Sequence, residues 1–240
     1  MRVQVAVVLA GLLLAGCVPT TTAPMAPVPA PQDSAPIHGA DQAARAFVEV
    51  VTRVEPVAEQ VCQTRLAPQY CRFRIAIDDR LDSPPNAFQT LDDAGRPVLV
   101  FTLALILEAQ NEDELAFVMG HEAAHHILGH MARQQQSAAT GAVLAGTLAS
   151  LGGGTAADVE AAQTMGAQLG ARSFSKDYEL EADALGTEIA WRAGFDPATG
   201  AQFFARLPDP GNRFLGSHPP NAQRIQTVDR TLAALQTGAR

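Results

Sequence analysis

The residues best suited to chemistry in this chain lie together at His121-Glu122-Ala123-Ala124-His125. If this stretch is helical, four residues turn the chain by about 400°, so His121 and His125 project from one face a single turn apart. Two neutral imidazoles in that relation can hold a zinc ion at about 2.0–2.1 Å each. Glu122 lies about 100° around the helix, within reach of a water on the ion without being a ligand. The apolar residues Leu115, Val118 and Met119 on the preceding turns place this face toward the core. A second pair, His126 and His130, has the same spacing but no glutamate after its first histidine.

The third ligand decides the class of site. A histidine-only set on an extended motif would need glycine at 128 and histidine at 131, where the chain has Leu128 and Met131. Downstream, Glu179-Leu180-Glu181-Ala182-Asp183 puts Glu179 and Asp183 on one helix face and directs Glu181 elsewhere. Glu179 completes a two-histidine, one-carboxylate set and leaves a fourth position for water. Asp183, one turn on, can accept the N–H of a ligand imidazole and fix its orientation. The bland reading of the same residues is a solvated acidic helix face.

These side chains need elements to hold them. Apolar residues recur at helical spacing from Ala40 to about Thr64. Cys71 to Ile77 alternates like a half-exposed strand, and Pro97 to Thr102 is a β-rich run. Asn111 and the acidic residues after it have the spacing of a helix start, predicting a helix from Glu112 to about Gln134. Further helices are expected from Ser175 to Arg192, from Pro197 to about Leu207, and from the Pro219-Pro220 pair to about Leu235. The expected fold is therefore α+β and mostly helical, with an active-site helix packed on a small β-sheet. Residues 138–154 carry no charge and are rich in Ala and Gly. They read either as a mobile cover over a cleft or as a packed apolar helix touching a membrane or partner.

The start of the chain has a different composition. Arg2 precedes an apolar run from Val3 to Leu14 that ends at Leu14-Ala15-Gly16-Cys17. This resembles a bacterial lipoprotein signal, with residues 1–16 removed and Cys17 lipidated; Val18 rather than Asp then favours the outer membrane. Residues 18–36 contain six prolines, so 17–38 reads as an extended tether and 39–240 as one domain. An exported chain meets an oxidising compartment, which makes Cys62 and Cys71 a natural disulfide pair. A net charge of −8 argues against a nucleic-acid partner, and an apolar content of 47% argues against overall disorder.

Four motifs in order carry a resemblance to the M48 family of zinc metallopeptidases. They are Asn86-Ala87-Phe88, the run from Asp113 into His121-Glu122-Ala123-Ala124-His125, the run from Glu179 to Gly186, and Ser217-His218-Pro219-Pro220 followed by Arg224. Ala124 stands where that family usually has glycine. The small lipoprotein members are the closest in kind. The resemblance implies a zincin-like metalloprotease domain with one Zn²⁺ per chain held by His121, His125 and Glu179. It implies a metal-activated water with Glu122 as general base, and His218 and Arg224 near the site to bind a substrate carbonyl or oxyanion. Polypeptide substrate is expected to add as a strand along an edge at Val98, Leu99, Val100, Phe101 and Thr102. The expected protein is a zinc endopeptidase on the periplasmic face of the outer membrane, held there by its N-terminal lipid. It would act on unfolded or misassembled envelope proteins. The alternative is a non-proteolytic, chaperone-like factor that serves the envelope assembly machinery with the same cleft.

Overall fold

The structure, a computed structural model, describes residues 35–211 and 218–238. The leader, Cys17, the tether up to residue 34 and Ser217 lie outside the described residues. Helix α1 (Ala40–Gln63) buries one apolar stripe, including Phe47, Val50, Val54 and Val61, against the core. Cys62 at its end is joined to Cys71 by a disulfide, with Cα atoms 5.5 Å apart. A single turn of 3₁₀ helix (Pro68–Tyr70) lies within that loop.

Three strands follow: β1 (Arg74–Asp78), β2 (Ala87–Leu91) and β3 (Pro97–Thr102). Their order in the sheet is β1-β3-β2, with β1 parallel and β2 antiparallel to β3. This corrects the expectation of a substrate edge at Val98, Leu99, Val100, Phe101 and Thr102. The backbone of β3 is paired on both sides and cannot accept another strand. The sequence already carried the reason: a short continuous apolar run suits a strand covered on both faces, and Leu99 and Phe101 are fully buried. The edge strands are β1 and β2.

Thr102 closes β3 and caps the short helix α2 (Leu103–Glu108) by accepting from the Leu105 N–H. Asn111 then caps α3 (Glu112–Ile127), its Oδ1 accepting from the Glu114 N–H at 3.0 Å. The buried Glu114 carboxylate reaches back to the Gln110 N–H and is gripped by Arg206. Helix α3 stops short of the expected Gln134. Gly129 adopts a left-handed φ of 66°, which residues with a Cβ rarely take, and the chain restarts in a new direction as α4 (His130–Leu151).

Helix α4 forms an antiparallel hairpin with α5 (Ala156–Arg172), which opens on a Thr155/Asp158 capping box. A Cβ on Gly141 would lie 2.1 Å from the Gly166 carbonyl oxygen, so the two backbones meet where neither residue has a side chain. Residues 138–154 are therefore mainly helix rather than a loose cover; their small residues permit close packing. Val143, Leu148 and Leu151 on this hairpin are exposed. Among the described residues no helix is long and apolar enough to cross a membrane.

Helix α6 (Ser175–Arg192) returns to the core against α3, and Gly194 ends it with a φ of 83°. Arg53 of α1 donates to the carbonyls of Ala193 and Gly194, tying off the end of α6. The expected helix to Leu207 is divided into α7 (Pro197–Gly200) and α8 (Gln202–Arg206). Helix α9 (Asn221–Gln236) packs on α6. The fold is mostly helical α+β, with α3 in contact with α1, α6 and the sheet.

Candidate active site

Helices α3 and α6 bring the chemistry together by crossing at two glycines. A Cβ on Gly120 would lie 2.8 Å from the Gly186 carbonyl oxygen, and one on Gly186 would lie 2.8 Å from the His121 nitrogen. This close approach brings the first turns of α6, with Glu179 and Asp183, alongside His121 and His125.

The Nε2 atoms of His121 and His125 are 3.0 Å apart. Glu179 completes the triangle, with Oε2 3.7 Å from His121 Nε2 and Oε1 3.5 Å from His125 Nε2. Donors at about 2.0–2.2 Å from a tetrahedral zinc ion stand roughly 3.3 Å from one another, so the three side chains fit such an ion with a position left open. They are also the group that could hold a metal ion among the described residues.

Asp183 is fully buried and accepts from His121 Nδ1 at 2.9 Å. It is no solvated acidic face. Its other contacts are the Nε and Nη2 of Arg224, at 2.8 and 2.6 Å. Arg224, whose guanidinium carbon also sits 3.6 Å from the centre of the Phe204 ring, is thus occupied in clamping Asp183. The same guanidinium lines the larger recess beside the three candidate ligands, with Nη2 3.6 Å from Glu179 Oε2. Burial opposes the charge of Asp183, but the bonds from Arg224 and His121 outweigh it and hold its carboxyl below the usual range.

His218 places Nδ1 3.2 Å from Glu179 Oε2 and is itself half exposed. Burial would raise the Glu179 carboxyl, yet the hydrogen bond from His218 and the charges of His121, Arg224 and His125 hold it well below the ordinary range. Burial, with His121 next in effect, pulls His125 down to about 3, so the ring is neutral at neutral pH, as ligation requires. Glu122 behaves in the opposite sense. Burial pushes its carboxyl up to about 7, with Glu179 adding to the effect while His121, Arg224 and a hydrogen bond from the Gln89 backbone oppose it.

Glu122, His125, Glu179 and His218 stand where two recesses of about 420 and 320 Å³ meet. The larger is walled by apolar side chains, among them Leu105, Phe117, Val118, Phe203 and Phe204. Asn86 and Ala87 of the β2 region line one recess and Gln89 the other, so the edge strand β2 flanks the cleft.

The second histidine pair does not converge. Gly129 separates its members into different helices, and His126 turns to the Tyr70 carbonyl at 2.7 Å. His130 instead lies behind His125, the two Nδ1 atoms 2.9 Å apart, with its Nε2 3.1 Å from Glu181 Oε2. Arg133 holds the same carboxylate oxygen at 2.6 Å. The sequence offered one signal for this contact: a glycine one residue before His130, able to turn the chain back on itself.

With this geometry in view, comparison with known proteins decides the family. The model of peptidase family M48 matches residues 49–232. The chain belongs to peptidase family M48. The chain is also similar to the beta-barrel assembly-enhancing proteases of Escherichia coli K12 and Yersinia pestis. Each is 36% identical over 51% of this chain and 26% of the relative. Metalloprotease LoiP of Escherichia coli K12 is 27% identical over 54% of this chain and 53% of its own length. The chain thus spans about a quarter of the beta-barrel assembly-enhancing proteases and about half of LoiP.

Proposed function

We propose that this M48 chain is a zinc-dependent endopeptidase of the bacterial cell envelope that hydrolyses unfolded or misassembled envelope proteins. The observation that carries the reading is the convergence of His121, His125 and Glu179 beside Glu122, a carboxylate in the cleft that belongs to none of their ion pairs. A zinc ion held by those three residues would supply a Lewis acid that lowers the pKa of water and polarises a peptide carbonyl. Glu122 accepts the proton of the attacking water and delivers it to the amine that leaves as the C–N bond breaks. Its raised affinity for protons suits both halves of that exchange. In this reading His218, half exposed beside Glu179, donates to the substrate carbonyl oxygen. The substrate runs along the outer edge of β2 by main-chain pairing, and the apolar recess takes one large hydrophobic side chain.

The relatives named as beta-barrel assembly-enhancing proteases support an envelope setting and substrates drawn from membrane proteins under assembly. Residues 1–16 are the leader, Cys17 carries the lipid, and 17–38 tether the catalytic domain to the periplasmic face of the outer membrane. Metabolic labelling with a fatty acid tests this; label persisting in Cys17→Ser would overturn it.

The deciding experiment for the activity is cleavage of denatured casein by the purified full chain, with and without a chelator, beside Glu122→Gln. Cleavage lost to the chelator, restored by zinc and absent from the variant is expected. A wild-type chain that binds zinc but cleaves nothing would favour the assembly-factor reading instead.

A further inference from the structure

The proposed centre has two histidine ligands, and the structure supports them differently. His121 rests on a carboxylate directly, through Asp183. Among the described residues, His125 meets no carboxylate at its Nδ1 but another imidazole, His130, at 2.9 Å. His130 is buried, with only 4% of its surface exposed, and its ring stacks on Tyr178 at 4.8 Å with planes 16° apart. Its far nitrogen meets Glu181, which is fixed by Arg133, whose guanidinium also lies over the Tyr178 ring, 4.4 Å from its centre.

Two imidazoles joined through their Nδ1 atoms must differ in tautomer, because one nitrogen donates and the other accepts. The Nε2 of His125 faces His121 and Glu179 and must keep its lone pair to bind an ion, so its proton belongs on Nδ1. His130 must then accept at Nδ1 and carry its own proton on Nε2, where the Glu181 carboxylate receives it. Every donor in the series points away from the candidate metal position. The anionic end, Glu181 with Arg133, sets the direction of the whole series.

We infer that His130 and Glu181 are positioning residues that select the ligating tautomer of His125 and hold its ring for the metal. The inference rests on the reading of His121, His125 and Glu179 as zinc ligands. It extends the centre from α3 and α6 to a third helix, since His130 opens α4, and it adds a second carboxylate of α6, Glu181. It also gives a purpose to the turn at Gly129, which brings His130 behind His125 rather than one turn along the same face.

The test is zinc affinity, measured by chelator competition on the purified full chain. His130→Phe keeps a ring against Tyr178 but offers no acceptor to His125, and is expected to weaken zinc binding about 10- to 100-fold. Glu181→Gln removes the anion that sets the direction and is expected to weaken it toward the lower end, about tenfold. His126→Gln, a loss of imidazole elsewhere on α3, should leave affinity unchanged. The cobalt-substituted protein gives a readout that simple loosening would not move: its visible spectrum should shift in His130→Phe and stay constant in His126→Gln. Nitrogen-detected NMR of the histidine-labelled zinc form should show His125 protonated at Nδ1 and His130 at Nε2. This last measurement is made on the wild type and decides the matter even if His130→Phe does not fold. A folded His130→Phe with wild-type zinc affinity, or a proton found on Nδ1 of His130, would overturn the inference while leaving the zinc reading intact. A wild-type chain that takes up no zinc would overturn both.

Discussion

Burial holds Glu122 in a state that costs stability, and that would serve the proposed reaction. Burial raises its carboxyl from 4.5 to about 7, so the folded metal-free protein binds a proton more tightly there than the unfolded chain does. For an acid raised in this way, stability falls as the pH climbs from 4.5 toward 7, and the full cost is present above that window. Glu122→Gln removes the cost. The metal-free variant is expected to be more stable than the metal-free wild type at pH 8 by on the order of 2 kcal/mol, the gain fading toward pH 4.5. Denaturant titrations at the two pH values check this, and a variant no more stable at pH 8 would refute it. The same substitution should leave zinc bound and abolish cleavage, since Glu122 takes no part in the triangle of His121, His125 and Glu179. Asp183 has the opposite sign. Its depressed carboxyl contributes stability above its unfolded value of 3.8, and that contribution is lost as the pH falls toward its folded value. Asp183→Asn should therefore flatten the acid side of the stability curve, and should also weaken zinc binding about 10- to 100-fold by loosening His121.

At the scale of elements, the site depends on how closely α6 approaches α3. Gly186 lies against the His121 backbone, where a Cβ would be 2.8 Å from the nitrogen and 2.9 Å from Cα. Neither atom can rotate aside, so Gly186→Ala must push the helices apart and carry Glu179 and Asp183 away from the histidines. A loss of about 1–3 kcal/mol in stability and a clear drop in zinc affinity are expected. Gly146→Ala meets only the side chain of Gln163, which can move, and should leave zinc affinity unaltered. Unchanged zinc binding in a folded Gly186→Ala would show that the crossing does not set the site. Which elements were legible in the sequence follows the same physics. Helix α1, the start of α3 and the span of α6 have strong apolar periodicity or capping residues, and β3 begins and ends where its composition changes. Helix α5 has little large apolar surface, because its packing against α4 uses glycine and alanine rather than a hydrophobic stripe. The place of β3 in the middle of the sheet was hidden because strand order is a long-range property, and β2 presents only five residues of weak alternation. The candidate ligands and Asp183 were readable because helical spacing is local. His130 was not, because its role depends on α3 ending at Ile127, where Gly129 is the single mark of the stop and no proline or apolar break supports it.

At the scale of the whole molecule, the disulfide and the proposed zinc ion are cross-links that would act on different states of the chain. The Cys62–Cys71 disulfide closes a short loop, with the cysteines nine positions apart, and works mainly by restricting the unfolded chain. For a loop of this size the expected contribution is about 2–3 kcal/mol. A bound zinc ion would act on the folded state by mass action, contributing about 4 kcal/mol at a thousandfold excess over its dissociation constant. The two are adjacent without sharing a partner. Tyr70, inside the disulfide loop, accepts from His126, while the candidate ligands His121 and His125 turn toward α6. Their effects should therefore add to within about 0.5 kcal/mol. Four measurements of unfolding free energy test this: wild type and the Cys62→Ser, Cys71→Ser double variant, each with zinc and after its removal. The variant should lose the same 2–3 kcal/mol in both metal states and should retain cleavage of denatured casein at temperatures where it stays folded. A loss markedly larger in the zinc-loaded form would mean that the disulfide loop supports the metal site through Tyr70 and His126. The two cross-links would then be one cooperative unit joined through the C-terminal turn of α3.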